Sequence, residues 1–283
     1  MNNQNNKATS QSTSSTGGGR REVLFIIKIG GNIIDSENAL SSFLNDFASI
    51  SSKKILVHGG GKLATKLGEQ LGIPSNYING RRITDDATID LVTMVYGGLI
   101  NKKIVAQLQT KGCNAIGLTG ADGNLIPAQK RPVKEIDYGW VGDVESRIVK
   151  AEPLTLLLEH DFVPVFAPLT HDEKGHILNT NADTIASVLA VALSSSYTVR
   201  LIYCFEKKGV LNDVANEDSV LTRITRTSYQ QLLQQHKLAD GILPKLDNAF
   251  AALESGVAEI VIGHAADLLH NTTEKTAGTL ITP

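Results

Sequence analysis

The sequence predicts an α/β fold built on an open, mainly parallel sheet. Three observations lead there. From Val23 onward, short β-branched apolar runs alternate with amphipathic helical patterns, the rhythm of strand–helix–strand units. Most of these runs are apolar almost throughout, as in strands covered on both faces. Glycine clusters close several of them, and open α/β sheets bind ligands outside the C-terminal ends of their strands.

The elements follow in chain order. VLFIIKI (23–29) is the first strand and ends in KIGG. Ala39–Ile50 places Leu40, Phe43, Leu44, Phe47 and Ile50 at helical spacing. KILVHG (54–59) is the next strand, and its HGGG end enters a helix. Thr88–Gln109 reads as a long amphipathic helix, and NAIGLT (114–119) as a strand running into GLTGADG. KRPVKEIDYGWVGDV, Lys130–Val144, interrupts the alternation. Its Val, Ile, Tyr and Trp positions with Gly139 and Gly142 predict a protruding hairpin, either a surface excursion or a lid beside a crevice. VPVFAP (163–168), the helix Ala182–Leu193, RLIYCF (200–205), the helix Pro244–Ser255 and EIVIG (259–263) complete the pattern.

Bulk properties narrow the function. A chain of 283 residues accommodates one large domain or two lobes. With 42% apolar and 20% charged residues it has the composition of an ordinary globular protein. A net charge of -2 argues against a nucleic-acid partner, though a local basic pocket is compatible with it. The sequence has no apolar run of membrane-span length and no N-terminal signal core, so no membrane partner is expected and the cytoplasm is the default location. Cys113 and Cys204 sit in apolar runs and read as buried, inert thiols. Residues 1–22, rich in Ser, Asn, Thr and Gly, read as a disordered tail or a cloning remnant.

The glycine clusters raise the question of chemistry. Gly59, Gly61 and Ala64 match the spacing of a dinucleotide fingerprint. That fingerprint normally closes the first strand of its unit, whereas here KIGG precedes it on a strand of its own. A phosphate-binding P-loop is excluded, because Lys62 is followed by Leu63 and position 56 is Leu. Two glycine turns at parallel strand ends would instead line a shared anion crevice with backbone N–H groups. Lys28, at the end of an apolar strand, calls for an anionic partner, since burying an ammonium alone costs several kcal/mol. Asn179, Asn181 and Asp183 cluster at a loop–helix junction, where Asn181 or Asp183 suits the N-cap or first turn. Lys245 stands at a helix start, where the dipole disfavours cations, and is more natural beside an anionic ligand.

Taken together, KIGG, HGGGK, NGRRIT, DYGWVGDV, NTNADT, DGILPK and the closing GTLI, in this order and spacing, resemble the amino acid kinase family over residues 23–283. The resemblance implies a three-layer α-β-α sandwich around a mainly parallel central sheet. It implies an N-terminal lobe (about 23–170) for an acyl amino acid and a C-terminal lobe (about 171–283) for ATP. The matching family members phosphorylate the γ-carboxylate of N-acetyl-L-glutamate on the way to arginine. Another N-acylglutamate such as N-succinylglutamate, or a non-catalytic amino-acid-sensing role, stays open at this point.

The resemblance also assigns roles. Lys28 and Lys245 would stabilise the transferring phosphoryl group from opposite sides, with Asp183 holding both. Gly31, Gly60 and Gly61 would present backbone N–H groups, and Gly30 would border the nucleotide. Arg82 and Asn179 would bind the α-carboxylate and acylamino end, and the hairpin around Gly139–Val144 would be the lid. Gly59 serves the turn, and Lys62 stands apart from phosphate. Mg2+ would accompany ATP without a named protein ligand, and the family's assembly would be a homodimer through the N-terminal lobe. The sequence departs from the pattern in two places. EKKGVLND puts Glu206, Lys207 and Lys208 where the nucleotide would be bordered. Residues 1–22 lack the amphipathic helix of arginine-inhibited, hexameric members, so arginine insensitivity is expected.

Overall fold

β1 (Val23–Ile29) is a central strand of an eight-stranded sheet. The structure, a computed structural model, describes residues 21–78, 80–213, 215–235 and 242–283. The other strands are β2 (Lys53–His58), β3 (Ala115–Leu118), β4 (Val163–Phe166), β5 (Thr198–Phe205), β6 (Arg223–Ile224), β7 (Glu259–His264) and β8 (Thr279–Ile281). Their order across the sheet is β6-β8-β7-β5-β1-β2-β4-β3. Neighbours run parallel except β7 and β8. The helices are α1 (Gly31–Asp35), α2 (Glu37–Ser49), α3 (Gly61–Gln70), α4 (Asp86–Val92), α5 (Asn101–Gln109), α6 (Ala151–Glu159), α7 (Ala182–Leu193), α8 (Arg226–Gln234), α9 (Leu243–Glu254) and α10 (Leu268–Asn271).

Strand parity builds the three layers. Leu24, Ile26, Ile55, Val57, Leu201 and Tyr203 join one core with α6, α7 and α9. Phe25, Ile27, Ile29, Leu56, Ile202 and Cys204 face the other way, into a core with α2, α5 and α10. Both cores are continuous and apolar, which explains the near-absence of polar residues in the inner strands. Parity also decides the site. Lys28 continues the Leu24–Ile26 face, so its side chain lies on the α7 and α9 side.

The six strands and four helices expected from the sequence are present, with ends shifted by at most two residues. The expected Thr88–Gln109 helix contains a π-helical segment, Thr93–Ile100, between α4 and α5. The edge strand β6, its neighbour β8 and the helices α6 and α8 were not legible, since β6 is two residues long and α8 carries few apolar residues. Both cysteines are buried and free, and burial pushes the Cys204 thiol up to about 12. Among the described residues no helix is long and apolar enough to cross a membrane. Residues 1–20 of the N-terminal segment, which carries the arginine expectation, lie outside the described residues.

Candidate active site

β1 and β2 lie side by side and end level, with Ile29 paired to His58. Each strand then turns through glycine into a helix, α1 and α3. The Gly59 N–H donates to Ile29 O at 3.0 Å and ties the two turns together. Gly60 has φ +152°, and a Cβ there would meet Ile100 Cδ1 at 2.3 Å and the Tyr96 ring at 3.2 Å. The sequence uses glycine there because the backbone conformation and the space beneath the π-helical segment both require it.

Two cavities open over these turns. The larger, about 550 Å³, is walled by Gly30, Gly31, Gly61, Glu206, Lys207 and Lys245. The smaller, about 210 Å³, is walled by Gly60, Gly61, Arg81, Arg82, Val141 and Asn179. Gly61 borders both. Lys62, which the sequence sets apart from phosphate, also lines the larger cavity and donates to Asn32 Oδ1.

Lys28 is buried and lies behind Gly30 rather than on a cavity wall, its Nζ 3.9 Å from where a Gly30 Cβ would be. Its anionic partner is Asp183, at 2.8 Å Nζ to Oδ1. Asp183 is in the first turn of α7, which Asn181 caps by accepting the N–H groups of Asp183 and Thr184 at 2.7 and 3.3 Å. Asn181 thus takes the N-cap, leaving Asp183 to face Lys28. Tyr203, paired with Lys28 across β5 and β1, donates its hydroxyl to Asp183 O at 3.3 Å, and burial pushes its phenol up. Lys245, in the first turn of α9 beside Pro244, has Nζ 3.6 Å from the Phe205 ring centroid; Lys28 Nζ is 5.2 Å from it. Burial holds the Lys245 ammonium below the ordinary lysine range, Asp183 pulls it upward, and Lys28 adds to the depression. Lys245 makes no ion pair with Asp183 at 4 Å or less; Phe205 is the surface the two lysines share. No pattern in the sequence singles out Tyr203 or Phe205, although their parity with Lys28 places them on its face.

Arg82 sits on a short strand, Arg81–Arg82, paired antiparallel with Tyr77–Ile78. Its buried guanidinium donates to Gly61 O and Thr65 Oγ1 at 2.9 Å each, and to Ser75 Oγ and Tyr77 Oη. These acceptors are all neutral, and among the described residues no carboxylate pairs with Arg82, which suits it to an anionic ligand. Asn179, at the end of Ile177–Asn179, lines the same cavity and donates Nδ2 to Thr84 Oγ1 at 3.0 Å.

The expected hairpin is present as Gln129–Lys130 paired with Gly142–Asp143. It is sewn to the smaller cavity's rim: Trp140 N donates to Thr84 O at 2.6 Å, Thr84 N to Tyr138 O at 2.9 Å, and Asn179 N to Trp140 O at 2.9 Å. The Trp140 ring donates Nε1 to Asp86 Oδ1 at 2.6 Å and stacks on His176 at 4.7 Å. Below the HGGG turn, His58 is fully buried, and its burial holds the imidazole down to about 4, so it is neutral. Its signal in the sequence, an isolated His at a strand end, did not separate it from a core residue.

The model of the amino acid kinase family matches residues 23–264. The acetylglutamate kinase of Bacteroides thetaiotaomicron is 56% identical over 251 residues, covering 89% of this chain and 97% of that one. The acetylglutamate kinase of Cytophaga hutchinsonii is 55% identical, covering 90% and 97%. Among solved structures, smu.665 from Streptococcus mutans UA159 superposes with a TM-score of 0.72 at 28% identity, covering 92% of this chain and 98% of that one. The chain belongs to the amino acid kinase family.

Proposed function

We infer that this chain uses ATP to phosphorylate the γ-carboxylate of N-acetyl-L-glutamate, giving N-acetylglutamyl 5-phosphate for arginine biosynthesis. The acetylglutamate kinases it resembles support the substrate. One observation carries the chemistry: Gly61 borders both cavities, with Lys245 on one side and Arg82 on the other. The larger cavity suits ATP and the smaller suits the acyl amino acid, with Arg82 and Asn179 on the α-carboxylate and acylamino end. On this reading an acyl-binding lobe spans about residues 23–170 and a nucleotide lobe about 171–283, with the glycine turns of the first lobe and Asn179 of the second reaching across to the other ligand.

A γ-carboxylate is already ionised at neutral pH, so it needs no general base. The barrier is the repulsion between an anionic nucleophile and an anionic phosphoryl group. Lys28, Lys245 and the N–H groups of Gly31, Gly60 and Gly61 would offset that charge in the transition state. Asp183 would hold Lys28 in place. The larger cavity's wall carries Glu206 as its one carboxylate among the described residues, and no described cluster of metal ligands is present. The described residues build no cage for Mg2+, which would enter as part of the MgATP substrate. The assembly is a homodimer through the N-terminal lobe, where Met94 and Leu99 are exposed on the π-helical segment.

A second reading rests on Arg81. It lines the smaller cavity beside Arg82, is exposed, and has no carboxylate partner among the described residues. A second guanidinium there favours an acyl group that carries its own carboxylate, such as N-succinylglutamate. ATP turnover with N-acetylglutamate, N-succinylglutamate and glutamate, with and without arginine, separates these readings. Phosphorylation of neither acylated substrate would overturn the function. If the second reading holds, Arg81→Ala lowers kcat/KM for the succinyl substrate at least tenfold and leaves the acetyl substrate within threefold.

A further inference from the structure

We infer that His58 and Asn101 are positioning residues that aim the Gly60 amide into the crevice where the phosphoryl group is transferred. The inference rests on the carboxylate-kinase reading above for what the amide does there.

The hydrogen bonds leave one arrangement. Asn101, the first residue of α5, is buried, and its terminal amide has one atom 2.9 Å from Val165 O and 3.2 Å from His58 Nε2. A carbonyl only accepts, so that amide atom is the nitrogen. Its second hydrogen goes to His58 Nε2, which therefore carries a lone pair. The ring proton sits on Nδ1, which donates to Gly59 O at 2.8 Å. A neutral imidazole is the only form that satisfies both contacts, in keeping with its depressed basicity.

Gly59 C=O and Gly60 N–H belong to one peptide unit. In a trans peptide these two groups point in opposite directions. Pinning the carbonyl toward the core therefore turns the Gly60 N–H outward. Among the described residues nothing in the protein accepts that N–H, and Gly60 lines the smaller cavity beside Gly61. The preceding peptide is held as well, through Gly59 N–H to Ile29 O. The glycine turn, the most pliable backbone in the site, is thus fixed by side chains outside both cavities.

The surroundings fit a built device. Asn101 Oδ1 is buried without a hydrogen-bond partner among the described residues, a costly state that few native groups keep. A Cβ at Gly117 would lie 1.9 Å from that oxygen, so β3 uses glycine to admit the amide. The π-helical segment ends at Ile100, immediately before Asn101, and insertions of this kind often mark functional positions in helices.

Steady-state kinetics of two variants test the assignment. His58→Leu removes the donor to Gly59 O. His58→Asn keeps an N–H close to the Nδ1 position. We expect His58→Leu to lower kcat at least tenfold with both KM values within about threefold, and His58→Asn to restore kcat to within about threefold of the parent. An unchanged kcat in folded His58→Leu, or no rescue by His58→Asn, would overturn it. Should His58→Leu fail to fold, nitrogen-15 NMR of the parent protein decides: the Nδ1–H tautomer from about pH 6 to 8 is required, and an Nε2–H tautomer would refute the arrangement. An inactive parent enzyme would sink the kinase reading, while the tautomer result would still judge the hydrogen-bond geometry.

Discussion

Lys28 Nζ lies 2.8 Å from Asp183 Oδ1, joining the end of a central strand to the first turn of the helix that covers it. The pair sits under the glycine turns, where an ammonium unbalanced by Asp183 would be expensive to bury. Lys28→Ala should lower kcat by about 10²–10³-fold, on the scale of losing one oxyanion donor. Asp183 Oδ1, the oxygen that faces Lys28, is buried, and the variant leaves it unpaired, so thermal stability should fall as well. Steady-state kinetics with a parallel melting curve check both statements.

Gly60→Ala should damage both activity and stability. The new Cβ would meet Ile100 Cδ1 at 2.3 Å, in a backbone conformation that alanine disfavours. Overpacking and backbone strain of this kind each cost about 1–3 kcal/mol. Gly61→Ala, with nothing among the described residues within 4 Å of its Cβ, should keep nearly the parent stability. Chemical denaturation of the two variants side by side tests the contrast.

Lys245 links activity to alkaline pH with opposite signs for two observables. Its basicity is depressed by burial. Between its folded value and the ordinary lysine value of 10.5, the unfolded chain binds more protons than the folded one, so stability contributed by this residue rises with pH. Catalysis needs the charged form, so kcat should fall over that same interval. Lys245→Met should flatten the alkaline limb of the kcat profile and remove its share of the stability slope.

Trp140 is the chain's single tryptophan, and its neighbour Val141 lines the smaller cavity. Its ring stacks on His176 and carries Lys130 Nζ 3.7 Å above it. Binding of an N-acylglutamate should therefore shift its fluorescence, whereas ATP alone should leave it nearly unchanged. A titration in which ATP alone gives the full change would place the hairpin over the other ligand.

Much of this was legible in the sequence. The inner strands announced themselves because burial on both faces leaves little choice but Val, Ile and Leu. Lys28 stood out because a cation in such a run needs an explanation, and Asp183 because three polar residues crowd one helix start. The edge was harder to read: β6 pairs through two residues, and its stability comes from β8, distant in sequence. Phe205 and Tyr203 were hidden because an aromatic in a strand looks like core, and only strand parity relative to Lys28 gives them a role. Lys62 was set apart because it fails the P-loop spacing, yet helix α3 starts at Gly61 and carries it onto the larger cavity's wall.

Gly61, without a side chain, is the residue that the linings of the two cavities share. A molecule that joined an acylglutamate to an adenosine polyphosphate could therefore cross from one chamber to the other with a very short tether. The second half of such a molecule would dock at the high effective concentration set by the first, so its affinity could approach the product of its parts. The fold that brings two substrates together for transfer is in the same way a template for a bisubstrate inhibitor.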